Sequence, residues 1–512
     1  MRDAQRESLP AAPPSSRERL CTATFRLMLA AAAGYLLLYL VLALLRVPYK
    51  YELEWMEGGM VDHIARILAG KQLYVAPTMD FVPFIYAPLY FYLAAGLAKL
   101  IGLGLLPLRL VSFAASLGCF AMLYLLVRRE TGQAWAGLLA AGLFAATYRL
   151  SGAWFDVARV DTLALFLLLL TLYLLRQGST RALILGGVTV ALAVFAKQSM
   201  LAIVVPLALS ALYCYRWRGL VFLATAGLLI AGGDLVLNAL HGGWFNYYLW
   251  ILPRQHKPEL YQMSAFWIDD LIMPLPFALA LAAAYLGYFG WRRPERPALA
   301  CFLPMTAGVL AMTWISRIHS GGWDNVVMPA HAMVALLAAL GAARMLPELD
   351  SLPAQRRALL TTGLFAVCVV QFGMLYYNPI AQVPTAAHAQ ANRNFLRLLQ
   401  SLPGENVYVP YTGYLPTLAG KRTCAHAAAY LDILRGADGP IKETFKADVE
   451  RALREHRFAA IIYSDDTNPD QDWLHTTIDR YYTRQAEIPT AQVAQWCVTG
   501  IYFRPRWIFV PR

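Results

Sequence analysis

Long apolar runs recur along the chain, and short arginine clusters separate them. This alternation restricts the fold more than any single motif, because a run of roughly 17–25 apolar residues is what a helix needs to cross a bilayer. Such runs fall at 24–46, 107–127, 134–151, 161–175, 181–196, 199–215, 219–240, 271–290, 298–316, 326–345 and 357–377. With 58% hydrophobic and 15% charged residues, the chain is too apolar for a soluble globular protein. The first run is longer than the apolar core of a signal peptide and lacks a clear small-residue cleavage site, so it reads as a retained helix. The net charge of +12 is carried largely by arginines in the turns between runs, which is a topology signal and not a nucleic-acid footprint.

The segment 86–106 is also apolar, and whether it crosses sets the parity of everything after it. If it lies in the interface, Arg128/Arg129, Arg176/Arg181, Arg216/Arg218, Arg292/Arg293/Arg296 and Arg344/Arg356/Arg357 all share the side of the tail carrying Arg2, Arg6, Arg17 and Arg19. By the positive-inside rule that side is the cytoplasm, and the opposite choice breaks the rule at every later cluster. The expected architecture is therefore an all-α polytopic membrane domain of about eleven transmembrane helices plus interfacial helices. A cytoplasmic tail covers 1–23, the membrane domain 24–380 with a first outward loop at 47–106, and an outward-facing soluble α/β domain 381–512.

Five stretches then face outward: 51–106, 154–161, 196–199, 241–270 and 317–325. Nearly every acid, histidine and lysine of the membrane half lies in one of them. The first carries Glu52, Glu54, Glu57, Asp62 and Asp80 among Trp55, Tyr74, Phe81, Phe84 and Tyr86. A general base for an attacking hydroxyl needs a partly desolvated carboxylate, and Glu57 and Glu54 are the first candidates. The plain alternative is that they are solvated loop acids or cap the helix expected at 59–68; Asp62 reads as a polar-face residue of that helix. The second stretch brings Asp156, Arg159 and Asp161 to the point of membrane re-entry, where ionisable groups normally pair. Lys197 sits at a turn between two apolar helices, suited to a phosphate or simply snorkelling. The two longer stretches hold Arg254, His256 and Lys257, then Arg317, His319, Trp323 and Asp324. Such mixtures fit a lipid-linked phosphate with a sugar on an aromatic face, or headgroup anchoring. His331, within an apolar run, reads as a buried structural histidine, and His63 resembles it. No ligand spacing marks a metal site, and a divalent cation at Glu57, His319 and a second acid stays an open alternative.

From Gln382 the composition turns polar. Strands are expected at 407–411 and 459–463, an amphipathic helix at 441–456 and a closing hairpin at 500–510. The roughly 130 residues suffice for a small α/β domain. Of the seven cysteines only Cys424 and Cys497 lie in this part, and no two make a CxxC or metal spacing. There is no GxSxG and no Walker motif, which argues against a hydrolase of that type and an ATP-driven pump. No internal repeat is visible, which weakens an inverted-repeat transporter.

An acidic first loop, the entry YAPLYFYLAA, the helix start LRLVSF, then VARVDTLALFLLLLTLYLLRQG and FAKQS form an ordered series. Over about 26–345 it resembles the polytopic GT-C glycosyltransferases, in the branch of the protein O-mannosyltransferases and the lipid A aminoarabinose transferase. The resemblance implies a GT-C membrane domain whose members take a sugar from a polyprenyl-phosphate carrier and pass it to an outward acceptor, usually with inversion. The family's first-loop acid falls on Glu57, or on Glu54 with a small gap, the arginine opening the second crossing on Arg109, the outward acid on Asp161, the lysine on Lys197 and the large-loop histidine on His256. Two positions depart from the family: an Asp-Glu pair is common in the first loop, whereas Glu57 is followed by Gly58 and Gly59, and Tyr86 stands where a second carboxylate can precede the proline.

On this resemblance the chain is expected to be an inverting glycosyltransferase of a bacterial inner membrane, with its site and C-terminal domain on the periplasmic side. Glu57 takes the acceptor proton, while Arg109, Lys197, Arg254 and Arg317 stabilise the departing polyprenyl phosphate and Asp161 with Arg159 shapes the cavity. Asp80, Tyr86, Asp156, His256 and His319 complete the expected substrate-binding set. The partners are the donor lipid, a lipid, glycan or protein acceptor, and membrane lipids, with no nucleic acid. A lipid-linked oligosaccharide ligase, a lipid-linked sugar flippase and a non-catalytic glycan-binding subunit are the alternatives.

Overall fold

A computed structural model describes residues 16–292, 295–464, 469–489, 497–501 and 503–512. Arg2, Arg6 and Arg293 of the charge argument lie outside the described residues. The chain opens with α1 (Ser16–Arg46), α2 (Glu57–Leu68), α3 (Leu89–Ile101), α4 (Leu105–Thr131) and α5 (Ala134–Ala146). It continues through α6 (Asp161–Gln177), α7 (Thr180–Ala196), α8 (Leu201–Tyr215) and α9 (Gly219–Leu240). A broken region follows, with α10 (Trp244–Asn246) and α11 (Gln262–Trp267), and then α12 (Pro276–Gly287), α13 (Arg296–Ile318), α14 (Met328–Leu349) and α15 (Ala354–Met374).

Among the described residues six helical stretches are long and apolar enough to cross a membrane, or seven with one sharply bent pair taken as a span. The protein is an integral membrane protein, and its core surrounds α14, whose residues from Met328 to Ala343 are all buried. That helix is rich in alanine and glycine, and small residues let neighbouring backbones approach closely. At Gly341 the approach is so tight that a Cβ would stand 2.1 Å from the Leu281 carbonyl oxygen of α12. Helix α3 is 13 residues long, about 20 Å, which is short of the hydrocarbon thickness of about 30 Å. Gly102 and Gly104, both at positive φ, then turn the chain into α4. Helices α8 and α9 pack against each other, the chain reversing at Arg216, a non-glycine residue with φ of 52°.

Two expected spans differ from the structure. The run 134–151 stops being helical at Ala146, because 147–160 leaves the helix to form a buried irregular segment anchored by Asp156. The run 271–290 is no straight helix: Gln262–Ile272 meets Pro276–Trp291 at a bend of 92°. Pro274 and Pro276 supply no N–H and interrupt the helical ladder. Freed backbone groups in an apolar setting need partners, and the buried Gln371 of α15 provides them. Its Nε2 donates to the Pro274 carbonyl at 2.8 Å, and its Oε1 accepts from the Phe277 and Ala278 amides at 3.1 and 3.0 Å.

The C-terminal region contains α16 (Ala386–Ser401), β1 (Val407–Tyr408), α17 (Tyr414–Leu418), α18 (Ala427–Arg435), α19 (Pro440–Arg454), β2 (Ala460–Ser464), α20 (Pro469–Tyr481), β3 (Tyr482–Glu487) and β4 (Pro505–Pro511). Helix α16 begins at a capping box in which Thr385 accepts from the His388 amide and His388 accepts from the Thr385 amide. The four strands run in the order β1-β2-β4-β3, with β1 and β2 parallel and the other pairs antiparallel. The expected strand at 407–411 is cut to two residues ahead of Pro410, and the expected 500–510 hairpin is instead the single strand β4, lying between β2 and β3. This region docks on α2 through two glycines: a Cβ on Gly413 would stand 2.3 Å from the Gly58 carbonyl carbon and 2.6 Å from an Asp62 carboxylate oxygen.

Candidate active site

A cavity of about 900 Å³ lies where the membrane helices meet α18. All five stretches singled out in the sequence contribute to its wall, among them Met56, Tyr86, Trp154, Arg159, Lys197, Arg254, His319 and Asn325. Its apolar side carries Leu201, Ala202, Leu249, Trp250 and Ile315, suited to an isoprenoid or acyl chain.

The polar floor is built around Asp161, the first residue of α6. Its Oδ1 receives the Lys197 ammonium at 2.6 Å and the Asn325 amide at 2.9 Å. Its Oδ2 lies 3.9 Å from Arg159 Nε, and both of those atoms are buried without a hydrogen-bond partner. The Arg159 guanidinium donates from Nη2 to the Tyr86 hydroxyl at 2.8 Å and stacks over the Tyr86 and Trp154 rings. Glu54 lies behind this wall, its Oε2 3.9 Å from Arg159 Nη1 and 3.2 Å from the Met56 amide that donates to it. Its Oε1 has no partner, and neither do Trp154 Nε1, Gln198 Oε1 and Ser199 Oγ. Trp154, Gln198 and Ser199 line the cavity and Glu54 sits one layer behind it; buried polar atoms are normally satisfied, so open ones at a cavity wall suit a polar ligand. Burial pushes the Glu54 carboxyl up to about 7, against the pull of Arg159.

Glu57 stands in a different environment. Arg109 grips it with two bonds, Nε to Oε1 at 2.8 Å and Nη2 to Oε2 at 2.5 Å. The Ala158 amide donates to Oε1 at 2.8 Å and the Leu53 amide to Oε2 at 2.6 Å. Arg109 also donates to the Tyr49 and Tyr51 carbonyls, tying the end of α1, the start of α2 and α4 together. Burial would raise the Glu57 carboxyl, but Arg109 and the two amides hold it below the ordinary carboxylate range.

Five residues expected at the site are thus engaged elsewhere. Glu57 and Arg109 form the anchor just described, and Asp156 is held by Arg46 at 2.8 Å and by the Tyr148 hydroxyl at 2.8 Å. Arg317 pairs with Asp270 at 2.9 Å and Asp324 at 3.3 Å. Asp80 is exposed, outside the cavity lining, and pairs with Arg457 of the C-terminal region. His256 also lies outside the lining, donating from Nε2 to the Asp432 carbonyl at 2.8 Å, whereas Tyr86, Arg159, Lys197, Arg254 and His319 do line the cavity. Burial, then the neighbouring His256, lowers the pKa of His319.

Sequence reasoning missed the C-terminal contribution. Asp432 and Arg435 of α18 line the cavity, together with Phe503. Burial raises the Asp432 carboxyl to about 6, with Arg435, His319 and Arg159 opposing. The available signal was two opposite charges at i and i+3 on a helix whose other residues are apolar, AAAYLDILR. Among the described residues no three His, Cys, Asp or Glu side chains converge to hold a metal ion, and the Asp161 oxygen on the floor is already taken by Lys197 and Asn325.

Residues 85–237 match the family model described as dolichyl-phosphate-mannose-protein mannosyltransferase. The fold is shared with ArnT from Cupriavidus metallidurans bound to undecaprenyl phosphate, at a TM-score of 0.57 and 13% identity over 94% of this chain and 97% of that one. It is shared too with the oligosaccharyltransferase AglB from Archaeoglobus fulgidus, in complex with an inhibitory peptide and a dolichol phosphate, at 0.53 and 11% identity over 88% and 70%. No curated protein sequence matches.

Proposed function

We propose, from the family match over 85–237 and a fold shared over nearly the whole chain, that the protein is an inverting glycosyltransferase of the GT-C type that takes a sugar from a polyprenyl-phosphate carrier and passes it to an acceptor on the outer face of a bacterial inner membrane. The observation that carries this reading is the cavity itself. One side is apolar, and its floor joins Arg159 and Lys197 to buried carboxylates with unpartnered oxygens. ArnT bound to undecaprenyl phosphate and AglB with dolichol phosphate share the fold and support a lipid-phosphate donor. The arginine clusters on the opposite end of the helices support the outward placement.

In this reading the polyprenyl chain lies along Leu201, Trp250 and Ile315, and the donor phosphate meets Lys197 and Arg159. The acceptor hydroxyl attacks the anomeric carbon from the face opposite the phosphate. As that bond forms, the carbon–oxygen bond to phosphate breaks, and the leaving group takes the electron pair into the field of the two cations. The hydroxyl proton passes to Glu54, whose pKa of about 7 suits a base near neutral pH better than the tightly held Glu57. Glu57 becomes the anchor that fixes the floor of the cavity. Where the acceptor is itself a phosphate no base is needed, and Glu54 then orients the sugar through Arg159.

The test uses purified protein in detergent with a panel of polyprenyl-phosphate sugars, scoring release of free polyprenyl phosphate. Release by the wild type, strongly reduced in Lys197→Met and Glu54→Gln with the fold intact, is the expected result. Release undiminished in Lys197→Met would remove the assignment of the phosphate site, and translocation of an intact donor in vesicles without release would replace the transferase by a flippase.

A further inference from the structure

Four cations line the cavity, Arg159, Lys197, Arg254 and Arg435, against one lining carboxylate, Asp432. They fall into two groups on separate elements. Arg159 and Lys197 flank Asp161 just behind the floor, at 3.9 and 2.6 Å. Arg254 lies on the turn Pro253–Gln255, and Arg435 ends α18 with its guanidinium 3.9 Å from Asp432. Asp161 and Asp432 each balance one of the two cations in their group, and Glu54 lies 3.9 Å from Arg159 in the first.

The second group is fixed in place by uncharged hydrogen bonds and close packing around it. His256 Nε2 donates to the Asp432 carbonyl at 2.8 Å, and the Ala437 amide donates to Gln255 Oε1 at 3.1 Å. Gly436 abuts Leu252 so closely that a Cβ would stand 2.8 Å from its Cδ1, and His319 Nε2 donates to the Pro253 carbonyl at 3.0 Å. The two basic elements are thereby held side by side, while the Arg254 side chain makes no ion pair or hydrogen bond among the described residues. Cations gathered on a concave, partly apolar wall focus their field into it, and arginine forks match the oxygens of phosphate.

We propose that Arg254 and Arg435 form a second phosphate-type oxyanion station in the cavity, separate from Arg159 and Lys197 and built across the junction between the membrane helices and the C-terminal region. The proposal rests on the reading above, in which the floor takes the phosphate that links sugar to lipid. The second oxyanion then has two sources: the outer phosphate of a pyrophosphate-linked donor, or an anionic group on the acceptor.

Binding to the purified full-length protein separates these cases, with undecaprenyl phosphate, undecaprenyl pyrophosphate and glucose 6-phosphate as probes. A pyrophosphate that binds at least about tenfold tighter than the monophosphate, with the difference abolished in Arg254→Gln/Arg435→Gln, assigns the station to the donor's second phosphate. Equal binding of the two lipids, with glucose 6-phosphate binding to lipid-saturated protein and lost in the double variant, assigns it to the acceptor. Arg254→Gln alone, an exposed position, repeats each arm where the double variant fails to fold. Neither a pyrophosphate gain nor hexose-phosphate binding, or either one unaltered by the substitutions, overturns the proposal. Wild-type protein that binds no undecaprenyl phosphate, yet binds glucose 6-phosphate through Arg254, overturns the donor reading and leaves the station standing.

Discussion

The anchor around Glu57 and the cavity floor around Asp161 are both buried clusters of acids and arginines, yet their hydrogen bonding is opposite. In the anchor both carboxylate oxygens of Glu57 are doubly engaged, by Arg109 and by the Leu53 and Ala158 amides. On the floor, Arg159 Nε, Asp161 Oδ2 and the nearby Glu54 Oε1 have no partner. A saturated cluster holds elements together and has no capacity left for a ligand. An unsaturated one bears a desolvation cost that a ligand can relieve. The comparison teaches that burial and charge alone do not separate a carboxylate that holds the fold from one with room for a ligand; the spare valences do.

The contrast breaks first, and by the largest margin, at Arg109. Arg109→Ala strands the buried Glu57 carboxylate, a loss of about 3–5 kcal/mol, and the expected outcome is little or no folded protein by size-exclusion chromatography and thermal melt. A well-folded, inactive Arg109→Ala would instead move the anchor into the chemistry. Next comes Lys197→Met, for which transfer reduced by about 100-fold or more is expected, in line with removal of one charge-stabilising group, with a melt lowered less than in Arg109→Ala because Asn325 and Arg159 still face Asp161.

Glu54→Gln should retain the fold and lower transfer by about 10–100-fold. Its sharper readout is pH. A base must be deprotonated, so wild-type kcat/KM should rise with pH to a plateau above an apparent pKa near 7, and the variant should lose that limb. The sign for stability is the reverse: with its folded pKa raised above the ordinary carboxylate value, Glu54 favours the fold at low pH, and that contribution fades as pH rises through about 7. A pH limb that survives Glu54→Gln would pass the base role to another group. The smallest effect belongs to Asp80→Asn, which breaks an exposed pair with Arg457 and should cost under about 1 kcal/mol with transfer unchanged.

Much of this was legible in local sequence. The apolar runs located α1, α4, α13, α14 and α15, and the outward stretches named most of the polar residues that line the cavity. The short α5 was not legible, because nothing in 134–151 announces that the chain must leave the helix to bring Asp156 to Arg46. Nor was the broken α12 segment, since its viability depends on Gln371, about a hundred residues downstream. In the C-terminal region β1, β2 and α19 followed the pattern, whereas β3, YTRQAE, exposes every residue but the first and shows no alternation to read.

The sequence by itself determined that the chain is embedded in a membrane and that its acids, histidines and lysines gather in a few loops, because hydropathy and charge spacing are local properties. The tertiary structure alone decided that Glu57 is saturated while Glu54, three residues earlier, keeps an open oxygen, and that α18 reaches over to supply Asp432 and Arg435. Hydrogen-bond saturation depends on partners such as Arg109 and Ala158, which lie 52 and 101 residues away in the chain, and no local pattern encodes who those partners are.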